Sequence, residues 1–179
     1  MQKVPRYPTP LLTEAIGTTS REVAGLRART EFKGGMKPPY SNFLHFSEAD
    51  VVVLALVTEL RGLSLTEREA ARVALLSLEI IERAKEKRDS ASRPFLYVSG
   101  ANQPSGGVRN VDAVFGVEAL TDRIASIPRA AMVLDLVSFA DDAIERISKV
   151  AADFLADATL GGLDALAERQ RARSGETDK

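Results

Sequence analysis

The chain has 179 residues, of which 45% are hydrophobic and 27% charged, as is typical of one or two folded globular domains. Cysteine is absent and His45 is the single histidine, which excludes disulfides, thiolate metal sites and most histidine-based zinc sites. The longest apolar run, residues 51–57, is too short to cross a bilayer, and the N-terminus lacks the apolar segment of a signal peptide. We therefore expect a cytoplasmic protein that needs no cofactor.

Charge is distributed unevenly along the chain, although the net charge is only −1. Residues 1–47 contain seven basic and three acidic side chains, a net charge of +4, so the remainder carries −5. A basic segment in an otherwise acidic chain is typical of a protein that binds phosphate groups through that segment. An uneven but solvated surface would have the same composition.

Two short helices are predicted close to the N-terminus. A Thr-Pro pair at residues 9–10 is typical of an N-cap followed by proline at the first helical position, and Gly17 can end this helix. Thr19 and Glu22 have the spacing of a capping box, which predicts a second helix over residues 20–29. A turn of three residues therefore separates the two helices.

The next segment changes character before a third helix begins. Residues 31–42 contain two glycines and two prolines, which excludes a helix and favours a β-hairpin or an irregular loop. Residues 43–46 are typical of a strand. Ser47, with Asp50 three residues later, then predicts a helix start. Apolar residues almost encircle the helix at 48–61, so we expect it to be buried.

A fourth, longer helix follows Gly62. Both Ser64 and Thr66 have a glutamate three residues further on, so either can cap the helix, which we expect to reach about residue 88. Its first half carries an apolar stripe and its end is almost wholly charged. We expect the first half to pack and the end to lie in water.

The second half of the chain mixes strands and helices. Aromatic and β-branched content predicts strands at residues 95–99 and 111–115, separated by a glycine-rich polar loop. Residues 117–127 fit a helix that Pro128 would close. Residues 131–136 fit either a strand or the entry to the next helix, because periodicity does not separate the two for so short a run.

The last helix has the most regular apolar period in the chain, and Gly161 and Gly162 are expected to end it. Its apolar residues repeat every 3.5 positions, at Ala140, Ile144, Ile147, Ala151, Phe154 and Ala158. This seam and the stripe of the fourth helix hold more apolar surface than a short β segment covers. We expect dimerisation through Val73, Ile80, Ile144, Ile147 and Phe154. Packing of the two seams on each other within one chain is the open alternative.

The helix pair near the N-terminus has the lengths and turn of a helix-turn-helix. In such a unit the start of the second helix enters the major groove, while hairpin cations contact phosphates. On this basis we expect seven residues to contact DNA: Thr19, Ser20, Arg21, Arg27, Arg29, Lys33 and Lys37.

Over roughly residues 9–85 the sequence resembles the MerR-type winged helix-turn-helix regulators. The matching features are the turn at residues 17–21, the glycine- and lysine-containing hairpin, NFLHFSEADV at 42–51, and GLSLTE at 62–67. The resemblance implies DNA binding by a dimer, a second helix in the major groove, and dimerisation through C-terminal helices. Metal sensing through cysteine, common in that family, is excluded here.

These observations predict a mainly α protein with a winged helix-turn-helix, a long connecting helix and a small α+β C-terminal region that ends in a heptad-like helix. The expected divisions are a DNA-binding head at residues 1–65, a connecting helix at 66–89, a dimerisation and sensing region at 90–168, and a flexible tail at 169–179.

Other chemistries are less favoured. His45 has no identifiable catalytic partner, which favours a structural or surface role. Asp141, Asp142 and Glu145 lie outside the apolar seam, which favours a solvated face over a metal site. Residues 99–107 are glycine-rich but lack the lysine of a P-loop, which favours a mobile loop or a wall of an effector pocket. Without a nucleophile–base pair or a metal cluster, we expect no enzyme.

The function we expect is that of a sequence-specific transcriptional regulator that binds double-stranded DNA as a homodimer. A small-molecule or protein effector is expected at the C-terminal region, and no membrane partner. Two alternatives stay open. One is an architectural, partition or packaging DNA-binding protein of phage or plasmid type, and the other is an antitoxin-like protein-interaction module.

Overall fold

The computed structural model describes residues 5–87, 92–99, 110–126 and 131–156. Within these ranges the protein is mainly helical, as the sequence predicts, and it has six α-helices and two small sheets. In chain order the elements are β1 (Tyr7–Pro8), α1 (Thr9–Ile16), α2 (Ser20–Arg29), β2 (His45–Phe46), α3 (Glu48–Gly62), α4 (Glu67–Lys87), β3 (Pro94–Ser99), β4 (Asn110–Phe115), α5 (Val117–Ala125), β5 (Ala131–Asp135) and α6 (Leu136–Ala156).

Local sequence sets the turn between α1 and α2. Gly17 has φ 69°, and its N–H donates to the carbonyl of Thr13, so α1 ends where a residue without a side chain is favoured. Thr19 and Glu22 form a reciprocal capping box at the start of α2. The bounds of α2 and both signals that flank the turn are confirmed.

The start of α1 differs from the prediction by one residue. Thr9 is already helical and Pro8 is the N-cap residue, with Pro10 in the first turn. The hydroxyl of Thr9 donates to the carbonyl of Leu44 at 3.1 Å rather than capping the helix. The side chain therefore ties α1 to the segment before β2, a contact between distant residues that the local pattern does not reveal.

A small sheet joins the chain before α1 to the chain after α2. β1 and β2 pair antiparallel, and Met36 forms a bridge to His45 through two N–H···O bonds of 2.9 and 2.7 Å. Residues 37–44 are therefore the loop of a hairpin. Of the predicted strand at 43–46 only β2 is extended, and β1 was not predicted because two residues carry no periodicity.

Helix α3 is the centre of the protein. Ser47 and Asp50 form its capping box, as predicted, and Asp50 also accepts a bond from the N–H of Gly35 at 3.4 Å. Every residue from 51 to 57 is buried, and so is Leu60. A helix with apolar residues on nearly all sides is stable only where neighbours cover each side, and α1, α4 and α6 pack around it.

The start of α4 resolves the choice between its two candidate caps. The hydroxyl of Thr66 accepts from the N–H of Glu69 at 3.3 Å, and the Glu69 carboxylate accepts from the N–H of Thr66 at 2.9 Å. Ser64 has φ 66° and belongs to the turn before the helix. Thr66 is therefore the cap, and the apolar first half of α4 buries its alanines against α3.

The second sheet has β3 at its centre, antiparallel to both β4 and β5. Leu96 and Val98 belong to the core that the helices share, whereas Phe95 and Tyr97 alternate to the opposite face. The open choice at residues 131–136 resolves as a strand followed directly by α6. Helix α5 contacts β4 and has no buried residue.

Helix α6 returns from the second sheet to the first part of the chain, where it packs against α1, α3 and α4. Its residues Leu136, Ala140, Ala143 and Ile147 are fully or almost fully buried. One continuous core therefore runs from the N-terminal helices to α6. Residues of the predicted head, connecting helix and C-terminal region all contribute to this core. The predicted tail and the end of the seam lie outside the described residues.

The two glycines at positive φ in the N-terminal half give the first prediction. Gly17 has no neighbour within 4 Å of an added Cβ, so Gly17→Ala should lower the free energy of unfolding by about 1–2 kcal/mol, from backbone strain alone. Gly35 has φ 81°, and its added Cβ would lie 2.6 Å from Cε1 of the fully buried Phe46. Because of this overlap, we expect Gly35→Ala to lower the free energy of unfolding, measured in urea, by roughly 1–3 kcal/mol more than Gly17→Ala does. If the two variants lowered the free energy of unfolding equally, a rigid contact between residue 35 and Phe46 would be contradicted.

Candidate nucleic-acid interface

The first turn of α2 presents the residues that the sequence assigns to the major groove. Ser20 and Arg21 are exposed there. Thr19 is engaged in the cap: its hydroxyl accepts from the N–H of Glu22 at 3.2 Å and donates to the Glu22 carboxylate at 3.1 Å. Thr19 therefore positions the helix start, and the polar groups presented by this turn are those of Ser20 and Arg21.

The basic residues near the end of α2 contact the chain itself. Arg29 donates from Nε and Nη2 to the carboxylate of Glu67 at 2.8–3.1 Å, which links α2 to the start of α4. Arg27 donates to the carbonyl of Gly35 at 3.5 Å, and Lys33 donates to the carbonyl of Arg27. These three cations brace α2 against α4 and the hairpin, a role that the sequence did not predict.

The hairpin loop is held by its own polar contacts. The N–H of Ser41 donates to the carbonyl of Pro38 at 3.2 Å, which closes a turn at the tip. The Ser41 hydroxyl lies 2.9 Å from Nε2 of His45. Tyr40 is 82% exposed, with its ring edge-to-face on that of His45 at 6.4 Å between centroids. Lys37 is exposed in the same loop.

Two titratable groups of this region have shifted pKa values. Burial lowers the pKa of His45, and the positive charge of Arg6 lowers it further, so the ring is neutral at neutral pH. Burial alone would raise the pKa of Glu22, but hydrogen bonds from Thr18 and Thr19 and the charge of Arg61 lower it overall. Glu22 is therefore ionised at neutral pH, the form that the capping box requires.

An open cleft of about 530 Å³ lies between the helix turn and the junction of α3 with α4. Its lining is mainly polar and includes Glu22, Arg61 and Glu67. Arg61 and Glu22 approach to 3.5 Å across it, at about half exposure, so the pair is solvated and weak. The cleft separates the helix pair from the connecting helix, and the Arg29–Glu67 pair spans the same two elements.

The C-terminal region, where the sequence predicts an effector, has two polar features. A groove of about 530 Å³ has Leu134 and Phe139 in its lining, together with charged side chains of α3 and α6. On the far face of the second sheet, Arg123 of α5 pairs with Asp112 and lies 5.8 Å from the centroid of the Tyr97 ring. The Tyr97 hydroxyl is buried without a hydrogen-bond partner among the described residues.

The residues predicted to form a dimer interface lie mostly against the chain's own core. Ile147 is fully buried, and Val73, Ile80, Ile144 and Phe154 are partly buried and packed on that core. Much of the predicted dimer surface is therefore packed within one chain, which was the open alternative. Apolar side chains that are at least about half exposed lie elsewhere in the described residues, at Met36, Tyr40, Leu76, Phe115, Val117, Ile124 and Leu155.

The acidic residues weighed as a metal site lie on the outer face of α6. Asp141, Asp142 and Glu145 are exposed, and Asp141 pairs with Lys85 of α4 at 2.6 Å. Within residues 5–87, 92–99, 110–126 and 131–156, no three His, Cys, Asp or Glu side chains are grouped to hold a metal ion. Most of the glycine-rich segment at 99–107 lies outside these ranges.

Sequence reasoning missed Tyr40 and Arg6 in this region. Tyr40 follows two prolines, a signal for a rigid turn that raises the significance of the next side chain. Arg6 precedes β1, and only the pairing of β1 with β2 brings it close to His45. The Glu67 partner of Arg29 lies 38 residues away, and no local pattern marks it.

No model of a known protein family matches the chain, and no curated protein matches it. The fold therefore defines the class: a mainly helical protein in which a helix pair, a hairpin and a small antiparallel sheet share one core. None of the described helices has the combination of length and apolar character that a membrane span requires.

The pKa of His45 gives a prediction for pH dependence. Because folding lowers this pKa below its usual 6.5, the unfolded chain binds a proton first as the pH falls. The stability that His45 contributes is therefore present above pH 6.5 and is lost as the pH falls through the lowered value. Urea unfolding between pH 7 and pH 5 should show a steeper loss for the natural chain than for His45→Gln. If both proteins lost the same stability between pH 7 and pH 5, the lowered pKa of His45 would be contradicted.

The buried hydroxyl of Tyr97 gives a third prediction. Removing a buried polar group without a partner relieves its desolvation cost, so Tyr97→Phe should leave the free energy of unfolding unchanged or raise it by about 1 kcal/mol. Tyr7 is the matched control, because its hydroxyl lies 3.5 Å from Oγ of Ser148 and Tyr7→Phe should be neutral or slightly destabilising. A loss above about 1 kcal/mol for Tyr97→Phe would mean that the hydroxyl has a partner.

Proposed function

We propose that this protein is a sequence-specific DNA-binding transcriptional regulator that acts as a dimer, with α1, α2 and the hairpin as a winged helix-turn-helix. One observation carries the proposal. The capped first turn of α2 follows a tight turn at Gly17, and it presents Ser20 and Arg21 on the surface of a helix that α1 and α4 support. A rigid helix start with exposed polar side chains is what reading base edges requires.

Electrostatics supports the same orientation. The first 47 residues carry a net charge of +4 and the rest of the chain −5, so the helix pair and the hairpin are the end that phosphates attract. In the proposed complex Arg21 contacts a guanine or a phosphate, Ser20 contacts a phosphate or a base edge, and Lys37 contacts phosphate from the hairpin. Arg29 contributes through its pair with Glu67, which holds α2 in place.

The dimer is part of the proposal because helix-turn-helix proteins read two half-sites related by two-fold symmetry. Ile147 is enclosed by its own chain and is not available to a second copy. Val73, Ile80, Ile144 and Phe154 keep some exposure and remain candidates. An effector at the C-terminal groove also belongs to the proposal, and a lining that combines Leu134 and Phe139 with charged side chains suits a ligand with polar and apolar parts.

The test is selection of bound duplexes from a random pool, followed by affinity measurements on the enriched sequence. We expect enrichment of a palindrome, which would support base reading and two-fold symmetry together. Arg21→Ala should weaken binding tenfold or more if it contacts a base. Lys37→Ala should reduce the slope of log K against log salt by about 0.9, the value for one lost phosphate contact.

The control is Arg83→Ala, an exposed cation in the second half of α4 whose weak pair with Glu79 lies on the same helix, and it should leave affinity and slope unchanged. Absence of a complex even at low salt would overturn the proposal. Binding that is unaffected by both Arg21→Ala and Lys37→Ala would overturn it as well.

A further inference from the structure

The hairpin exposes the aromatic ring of Tyr40, which is not part of the core. Tyr40 is 82% exposed, the highest value among the large hydrophobic side chains of the described residues, and Met36 at the base of the same hairpin is 50% exposed. A single exposed apolar residue needs no explanation, but an aromatic ring is the side chain with most to gain from a contact. The surroundings of Tyr40 decide what that contact is.

The loop holds Tyr40 in a fixed place. Pro39 restricts the backbone immediately before it, and Pro38 is buried and accepts the turn bond from Ser41. The ring of His45 supports the Tyr40 ring edge-to-face, and the Ser41 hydroxyl in turn holds His45 at 2.9 Å. The backbone that carries Tyr40 is therefore restricted, and its ring has one aromatic contact within the hairpin.

The charges around the loop select the partner. Residues 32–47 contain Lys33 and Lys37 and no acidic residue. Arg6 lies close enough to His45 for its charge to lower the pKa of that ring. An aromatic ring among cations suits a polyanion that also offers apolar surface, which describes DNA: phosphates contact the cations, and a deoxyribose contacts the ring.

We propose that Tyr40 is an apolar DNA contact of the hairpin, packing its ring on a deoxyribose beside the phosphates that Lys37 contacts. The inference rests on the proposed function and adds to it a contribution that does not depend on counterion release. Phosphate contacts weaken as salt rises, whereas ring packing does not. Tyr40 would therefore retain the hairpin on DNA at salt concentrations where its lysines contribute little.

The experiment measures binding of the full chain to the selected duplex by fluorescence anisotropy at four salt concentrations. The variants are Tyr40→Ala and Tyr40→Phe, compared with Lys37→Ala. The control is Leu155→Ala, which removes another exposed large apolar side chain, on α6. Tyr40 is too exposed to stabilise the core, and thermal unfolding of each variant checks that the fold is kept.

We expect Tyr40→Ala to bind about tenfold more weakly at every salt concentration, with the slope against salt unchanged. Tyr40→Phe should stay within about twofold of the natural chain, because the ring rather than the hydroxyl makes the contact. Leu155→Ala should have no effect.

The outcomes separate the inference from the proposed function. If the natural chain binds no DNA, both are overturned. If it binds and Tyr40→Ala binds equally well, only the inference is overturned, as would be the case if the ring contacted a protein partner instead. A reduced salt slope for Tyr40→Ala, or equal losses for Tyr40→Ala and Tyr40→Phe, would assign the contact to phosphate or to the hydroxyl and would also overturn it.

Discussion

The apolar run of α3 at residues 51–57 has to be covered on every side, and this requirement organises the fold. Helix α1 covers it from the N-terminal side of the chain, α4 follows it and packs back on it, and α6 returns from the far end to close the core. Each buried leucine or valine contributes roughly 1.5–3 kcal/mol, so the helix is far more stable enclosed than exposed. The helix pair and the hairpin are attached to this core rather than built around one of their own.

That attachment divides the basic residues into two groups. Arg27, Arg29 and Lys33 contact carbonyls or a carboxylate of the chain and hold α2 against α4 and the hairpin. Arg21, at the start of α2, and Lys37, in the hairpin loop, are exposed, as Arg29 and Lys33 also are. The contacts of Arg27, Arg29 and Lys33 therefore fix the position of α2 without removing its charge from the surface.

Only one face of the second sheet packs against this core. Leu96 and Val98 extend the helical core, while Tyr97 on the other face lies under the guanidinium of Arg123. Because α5 covers this face without burying any residue of its own, the C-terminal region keeps polar and apolar surface that the fold does not require.

The sequence by itself determined the helices and most of their ends, because capping boxes at Thr19 and Ser47 and the glycine at 17 act within a few residues. It also predicted that α3 is buried and that residues 20–21 stand at a helix start. Only the tertiary structure decided that the seam of α6 packs on its own chain and that Glu67 holds Arg29. It likewise brought Arg6 and Tyr40 close to His45. These contacts join distant residues, and α6 reaches as far as Tyr7, 141 positions before Ser148. The free energy that selects them comes from burial and charge pairing across the whole core, which no local pattern contains.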